Sequence, residues 1–198
     1  NAALKSADLP LAIEQYEEAV GLFEAALADV PQPEVLRNND VVRYGGRFAV
    51  VDTAHPHFGD YVLEDLSTRS LVKVKVGRYE EVSKRFLRKE LTLVPQQLFD
   101  LRLACLQNLT LASLKLARAS KRSGDFEEVV RRADTALSMD GHSAKALMRK
   151  GAALIELKDI GGAAKVLTLA AQETRGRDPE VVRLLELALA AKGRGRGR

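Results

Sequence analysis

The chain has 198 residues, 46% of them apolar and 29% charged, with few aromatics and no Trp, which suffices for a real core in one ordinary domain or two small ones. No apolar run approaches the roughly 18–20 residues of a membrane span, and a lone cysteine, Cys105, excludes an internal disulfide or a thiolate metal cluster. The net charge of +4 is carried by Lys192, Arg194, Arg196 and Arg198 at the C-terminal end, so a neutral body lacks the broad field that drives phosphate binding.

The first element in chain order is LAIEQYEEAVGLFEAAL, an amphipathic helix whose apolar stripe includes Ala12, Tyr16 and Ala19. Pro31 and Pro33 end that first helical segment, residues 1–30. RFAVVD, YVLED and LVKVKV follow, all short and rich in β-branched residues. In the last of them Val72, Val74 and Val76 alternate with Lys73 and Lys75, the mark of a half-buried strand. Gly45-Gly46, His55-Pro56 and Gly59-Asp60 supply turns. Residues 31–95 are therefore expected to form a small inserted β-module, a hairpin or a short SH3-like barrel. Its last part, residues 79–91, reads as a basic helix, and Pro95 starts the next long helix.

From there two helical pairs follow. LRLACLQNLTLASLKLARAS is paired with FEEVVRRADTALSM, and SAKALMRKGAALIEL with DIGGAAKVLTLAAQE. Small residues stand where paired helices must approach: Ala136 in the first pair, Gly151, Ala163 and Ala170 in the second. Asp125 and Asp159 fall at the turns between partners, with Asp125 suited to an N-cap. Asp178 before Pro179 caps a last helix, EVVRLLELALAA, expected to end at Gly193. The tail at 192–198 has no apolar surface to offset the entropy of ordering glycine and is expected to be disordered. Ala163, Leu167 and Ala170 repeat the four-then-three spacing of Ala12, Tyr16 and Ala19. This recurrence predicts a mainly α tetratricopeptide (TPR) helical-hairpin solenoid: about three repeats, the second and third plus a capping helix at 96–191, interrupted by the β-rich insertion.

LRLACLQNLTLASLKL, ADTALSMD and SAKALMRKGAAL, with the opening NAALKSADLPLAIEQYEEAV, resemble the TPR domain of FK506-binding-type immunophilins and related Hsp90 co-chaperones. The resemblance covers residues 1–30 and 97–191. It implies a dicarboxylate clamp. Asn1 matches the clamp asparagine of the first repeat, Asn108 that of the second, and Lys145 and Arg149 the basic pair of the third. A fifth member, a lysine four residues before the first asparagine, would precede residue 1. The implied function is a non-catalytic adaptor for the acidic C-terminal tail (EEVD-type) of Hsp90 or Hsp70, with the insert free to contact a client or second protein. No isomerase segment lies within these residues, and ARASKRSGD adds about seven residues where a two-residue turn is usual in the family.

The chemistry is coherent without the family. Lys145 and Arg149 are four apart and share a helix face. Asn offers amide donors, Lys a compact cation and Arg a planar fork suited to carboxylates. A chain-terminal Asp presents two carboxylates close together, so such a set would select chain ends over internal acidic residues.

Each signal has a plainer reading. Lys145 and Arg149 could be a solvated basic face, Asn108 a buried structural amide, and Asn1 a frayed terminus. Cys105, in apolar LRLACL with no nearby His, reads as a core residue. His55, His57 and Asp60 read as turn residues rather than metal ligands, and His142 as a solvated helix-start residue. Lys84, Arg85, Arg88 and Lys89, interrupted by apolar residues, read as a helix face. No nucleophile–base pair or phosphate loop is evident, so neither catalysis nor a cofactor is expected. The alternative function is a general scaffold acting through internal peptides or the insert, with nucleic-acid binding a distant third. The lone cysteine and the lack of a leader pattern predict a cytoplasmic location, compatible with a nuclear pool.

Overall fold

The computed structural model describes residues 8–32, 36–55, 60–75 and 91–195. Asn1, Pro33, Pro56, His57, Gly59, Val76, the basic segment at 79–90 with Lys84, Arg85, Arg88 and Lys89, and Arg196 and Arg198 lie outside them. The fold is mainly α, built of helical hairpins and interrupted by a small antiparallel sheet, as the periodicity predicts.

The helices are α1 (Leu9–Gly21), α2 (Phe23–Ala28), α3 (Gln96–Ser120), α4 (Ser123–Met139), α5 (Ala144–Glu156), α6 (Ile160–Glu173) and α7 (Pro179–Gly195). The strands are β1 (Val41–Tyr44), β2 (Arg47–His55), β3 (Asp60–Asp65), β4 (Leu71–Lys75) and β5 (Leu91–Leu93). Two compact units result. One comprises residues 1–20, 104–137 and 142–198, the other residues 21–103 and 138–141. The second is wider than the 31–95 segment delimited from sequence, because α2, the start of α3 and the exit of α4 belong to it.

In the helical unit the expected stripes are buried except at Ala19. Ala12 and Tyr16 of α1 pack with Leu109 and Ala112 of α3, and Cys105 joins them as a half-buried apolar neighbour. Burial pushes the Cys105 thiol pKa up, the behaviour of a core cysteine rather than a reactive one. Ala19 departs from expectation: it is exposed, since α1 ends two residues later and its last turn is left uncovered. A continuous core joins Leu114 and Ala117 of α3, Phe126 and Val129 of α4, Ala152 and Ala153 of α5, Ala163, Ala164 and Leu167 of α6, and Leu184 and Ala188 of α7. Ala136 and Ala170 are fully buried too.

The extra residues between α3 and α4 lengthen the helices themselves. α3 has 25 residues and α4 has 17, and Lys121, in the left-handed region at φ 60°, makes the turn. Asp125 is not the N-cap: α4 already begins at Ser123, and Asp125 sits in its first turn accepting a bond from the Ser120 hydroxyl, where a carboxylate still favours the positive helix end. Asp159 does cap α6, accepting from Gly162 N at 2.9 Å. Asp178 caps α7 through Glu180 N and Val181 N at 2.9 and 3.2 Å. α7 continues two residues past Gly193 to Gly195, so the first part of the tail expected to be disordered is helical: each added residue closes one more i→i−4 bond on an existing helix, without a new nucleation cost.

In the other unit the sheet runs β4-β3-β2-β1-β5, all antiparallel. It is larger than a hairpin because VVRY and LTL also pair. Gly45 and Gly46, at φ 53° and 81°, form the two-residue turn that joins Tyr44 to Arg47, where two successive positive φ values match the twist of the strands. Val42, Ala49, Val51, Tyr61, Leu63 and Leu91 make its core with Leu36. Phe48 stacks edge-on against Phe23 and Phe99, centroids 6.1 and 5.4 Å away. The Arg102 guanidinium lies 4.0 Å over Phe23 and bonds to Glu24, which Arg43 also holds at 2.6 Å.

Candidate functional site

Of the residues expected to act together, Asn108 sits on α3 and Lys145 and Arg149 on α5, all in the helical unit. α5 is helical because AKALMRKGAALIE keeps Ala146, Leu147, Ala152 and Ala153 at core spacing, and all four are buried. That frame puts Lys145 on the exposed side. Arg149 has a different environment from that of a solvated basic residue: it is buried, at 7% exposure.

Arg149 donates from Nη1 to the main-chain carbonyl of Gln107 on α3, at 2.5 Å. Its Nε is buried without a hydrogen-bond partner, and no carboxylate among the described residues pairs with it. Burial lowers its pKa from the ordinary guanidinium value, yet arginine stays charged at neutral pH. A buried cation without a counter-ion is costly. Three other arginines of the helical unit contrast with it: Arg131 and Arg132 pair with Glu128, and Arg183 with Glu180.

Asn108 directly follows the carbonyl that holds Arg149 and is half-buried on α3. The bond from Arg149 thus brings the α3 turn that carries Asn108 against the second turn of α5. Lys145 lies one turn earlier on α5 and forms no ion pair with a described residue. Asn1 is outside the described residues.

Two residues not singled out from sequence belong to the same network. Gln107 donates from Nε2 to the Ser143 hydroxyl at 2.9 Å, and Ser143 is 5% exposed. Ser143 is the residue before α5, legible as an N-cap, but its side chain makes no capping bond. His142 lies at the same end, partly exposed, with Nδ1 2.5 Å from Glu173 of α6.

Among the described residues no group of three or more His, Cys, Asp or Glu is placed to hold a metal ion, and no helix is long and apolar enough to cross a membrane.

No family model matches the chain, and no curated protein matches it. Among solved structures it is similar to the C-terminal TPR-containing domain of a Plasmodium falciparum protein described as FK506-binding. The two are 21% identical, with a TM-score of 0.45, over 61% of this chain and 76% of the other.

Proposed function

We propose that the protein is a non-catalytic adaptor whose helical unit binds the acidic C-terminal tail of Hsp90 or Hsp70, with Arg149, Lys145 and Asn108 gripping the terminal carboxylates and Asn1 as a fourth member. The observation that carries this reading is the buried Arg149 guanidinium with no anionic partner among the described residues. An incoming carboxylate supplies the missing negative charge and can accept two parallel N–H bonds from the planar fork. Exposed Lys145 suits attraction of the acidic peptide more than tight desolvated contact. The β-rich unit is assigned to a client or second protein.

The test is calorimetric titration with an acidic peptide ending in Glu-Glu-Val-Asp, as free acid and as C-terminal amide. The acid is expected to bind with a roughly micromolar Kd, and the amide at least about tenfold more weakly. Binding of the acid should weaken with added salt. Arg149→Met should abolish the difference between the two peptides; Lys145→Ala should reduce affinity less, because its charge is solvated. Equal binding of acid and amide by the wild-type protein would rule the reading out and leave a general scaffold.

A further inference from the structure

One residue of α3 holds α5 at two points. The side-chain amide of Gln107 donates to Ser143 Oγ at the start of α5, and the main-chain carbonyl of the same Gln107 accepts from Arg149 Nη1 in its second turn. Ser143 and Arg149 are six residues apart, about 9 Å along a helix. The result is a closed frame: Gln107, Ser143, the intervening helix with Lys145, and Arg149 back to Gln107.

A single bond between two helices leaves one free to roll about or slide past the other. The two bonds to Gln107, separated along the axis of α5, add to the core that α3 and α5 share a restraint on how α5 slides past that residue. Asn108 is the next residue on α3, so the frame fixes its offset from Lys145 and Arg149. The Ser143 hydroxyl is diverted to this task. Its backbone, at φ −62° and ψ 97°, is that of an N-cap, and its carbonyl accepts from Leu147 N at 2.9 Å, but the side chain forgoes the usual cap. The bond from Gln107 satisfies the buried hydroxyl, and what the diversion gives up is the N-cap bond.

We infer that Ser143 and Gln107 are positioning residues for the carboxylate site, setting the spacing between Asn108 on α3 and the Lys145–Arg149 pair on α5; this rests on the function proposed above. Neither touches the peptide. They act through the geometry of the residues that do.

The experiment uses the full chain with Ser143→Ala, Gln107→Ala and Ser143→Thr, each also with Arg149→Met, titrated with the acid and amide peptides. Gln107→Ala keeps the carbonyl that Arg149 uses and removes only the bond to Ser143, on a half-buried residue whose loss the fold should tolerate. Ser143→Ala and Gln107→Ala are expected to weaken the acid peptide about five- to tenfold, leave the amide unchanged and lose their effect with Arg149→Met. Ser143→Thr, which keeps the hydroxyl, should restore affinity. Wild-type affinity in Gln107→Ala, or a loss that persists undiminished with Arg149→Met, overturns the positioning role. If wild-type protein itself fails to tell acid from amide, the functional reading falls first, and the positioning role with it.

Discussion

Gly151 of α5 lies directly against Leu167 of α6: a Cβ on Gly151 would stand 2.5 Å from Leu167 Cγ. Leu167 is fully buried within the core shared by α3 to α7, so it has no room to swing aside. Gly151→Ala gains about 1 kcal/mol of intrinsic helix propensity. Overpacking a closed core costs about 1–3 kcal/mol, and the buried, branched neighbour favours the upper end. The expected outcome is net destabilisation, read as a lower midpoint of thermal unfolding by about 2–4 °C per kcal/mol for a chain of this size. A raised midpoint would mean that the two helices can part at no cost.

Gly141 meets an even harder obstacle. A Cβ there would stand 1.9 Å from the Ser67 carbonyl oxygen and 2.7 Å from its carbon, and Gly141 N donates to Leu66 O at 3.0 Å. The obstacle is main chain, which cannot rotate away as a side-chain tip can. Gly141→Ala should therefore cost at least about 3 kcal/mol and break the bond to Leu66. Hydrogen exchange should show faster exchange at the β3–β4 corner, with α5 and α6 amides unchanged. Loss spread evenly over the chain would contradict a local contact.

The pattern of legibility follows from which forces are local. Helical spacing marked all seven helices among the described residues, with α1 and α2 read as one segment where the structure breaks it at Leu22, and the small residues Ala136, Gly151, Ala163 and Ala170 are buried where close approach was expected. RFAVVD and YVLED lie in β2 and β3, and LVKVK of LVKVKV forms β4. VVRY and LTL were missed because runs of four and three residues are too short to show a period; their strand character comes from pairing with each other and with β2. In the site, the four-residue spacing of Lys145 and Arg149 was visible, but the difference in their burial was not, since it depends on α3 packing over α5. Ser143 could be read as an N-cap, but nothing in the local sequence says that its hydroxyl turns to Gln107.

Asp65 predicts an acid-sensitive β unit. Burial raises its pKa, but bonds from the Ser67 hydroxyl, the Ser67 and Thr68 N–H groups and Arg47 outweigh this, and together they hold the carboxyl below the usual aspartate range. A depressed folded-state pKa contributes stability that is present above the unfolded value, about 3.9, and lost as pH falls through the folded value. Unfolding midpoints measured between pH 7 and pH 2 should fall below about pH 4, and Asp65→Asn should flatten part of that fall while lowering stability at pH 7. An unchanged acid limb in the variant would assign the sensitivity to other carboxylates.

Arg132 links three helices of the helical unit. From α4 it bonds to Glu17 of α1 at 2.6 Å, to Glu128 one turn back at 2.5 Å, and to the Ser113 hydroxyl of α3. The arms differ in worth because their exposure differs. The Glu17 side chain is 51% exposed, so solvent and salt screen it, and its coupling to Arg132 in a Glu17→Gln/Arg132→Met cycle should stay below about 1 kcal/mol. The Ser113 arm is buried, where a bond to a charged donor contributes about 1.5–3 kcal/mol. Arg132→Met alone should therefore cost more than Glu17→Gln alone, and added salt should diminish the Glu17 coupling while sparing the rest. Because Ala12 and Tyr16 hold α1 by apolar contact, the helix should stay docked in Glu17→Gln, and its amides should lose protection only when Arg132 is removed as well. Equal losses in the two single variants would place the strength of the network in the exposed pair, contrary to the burial that separates them.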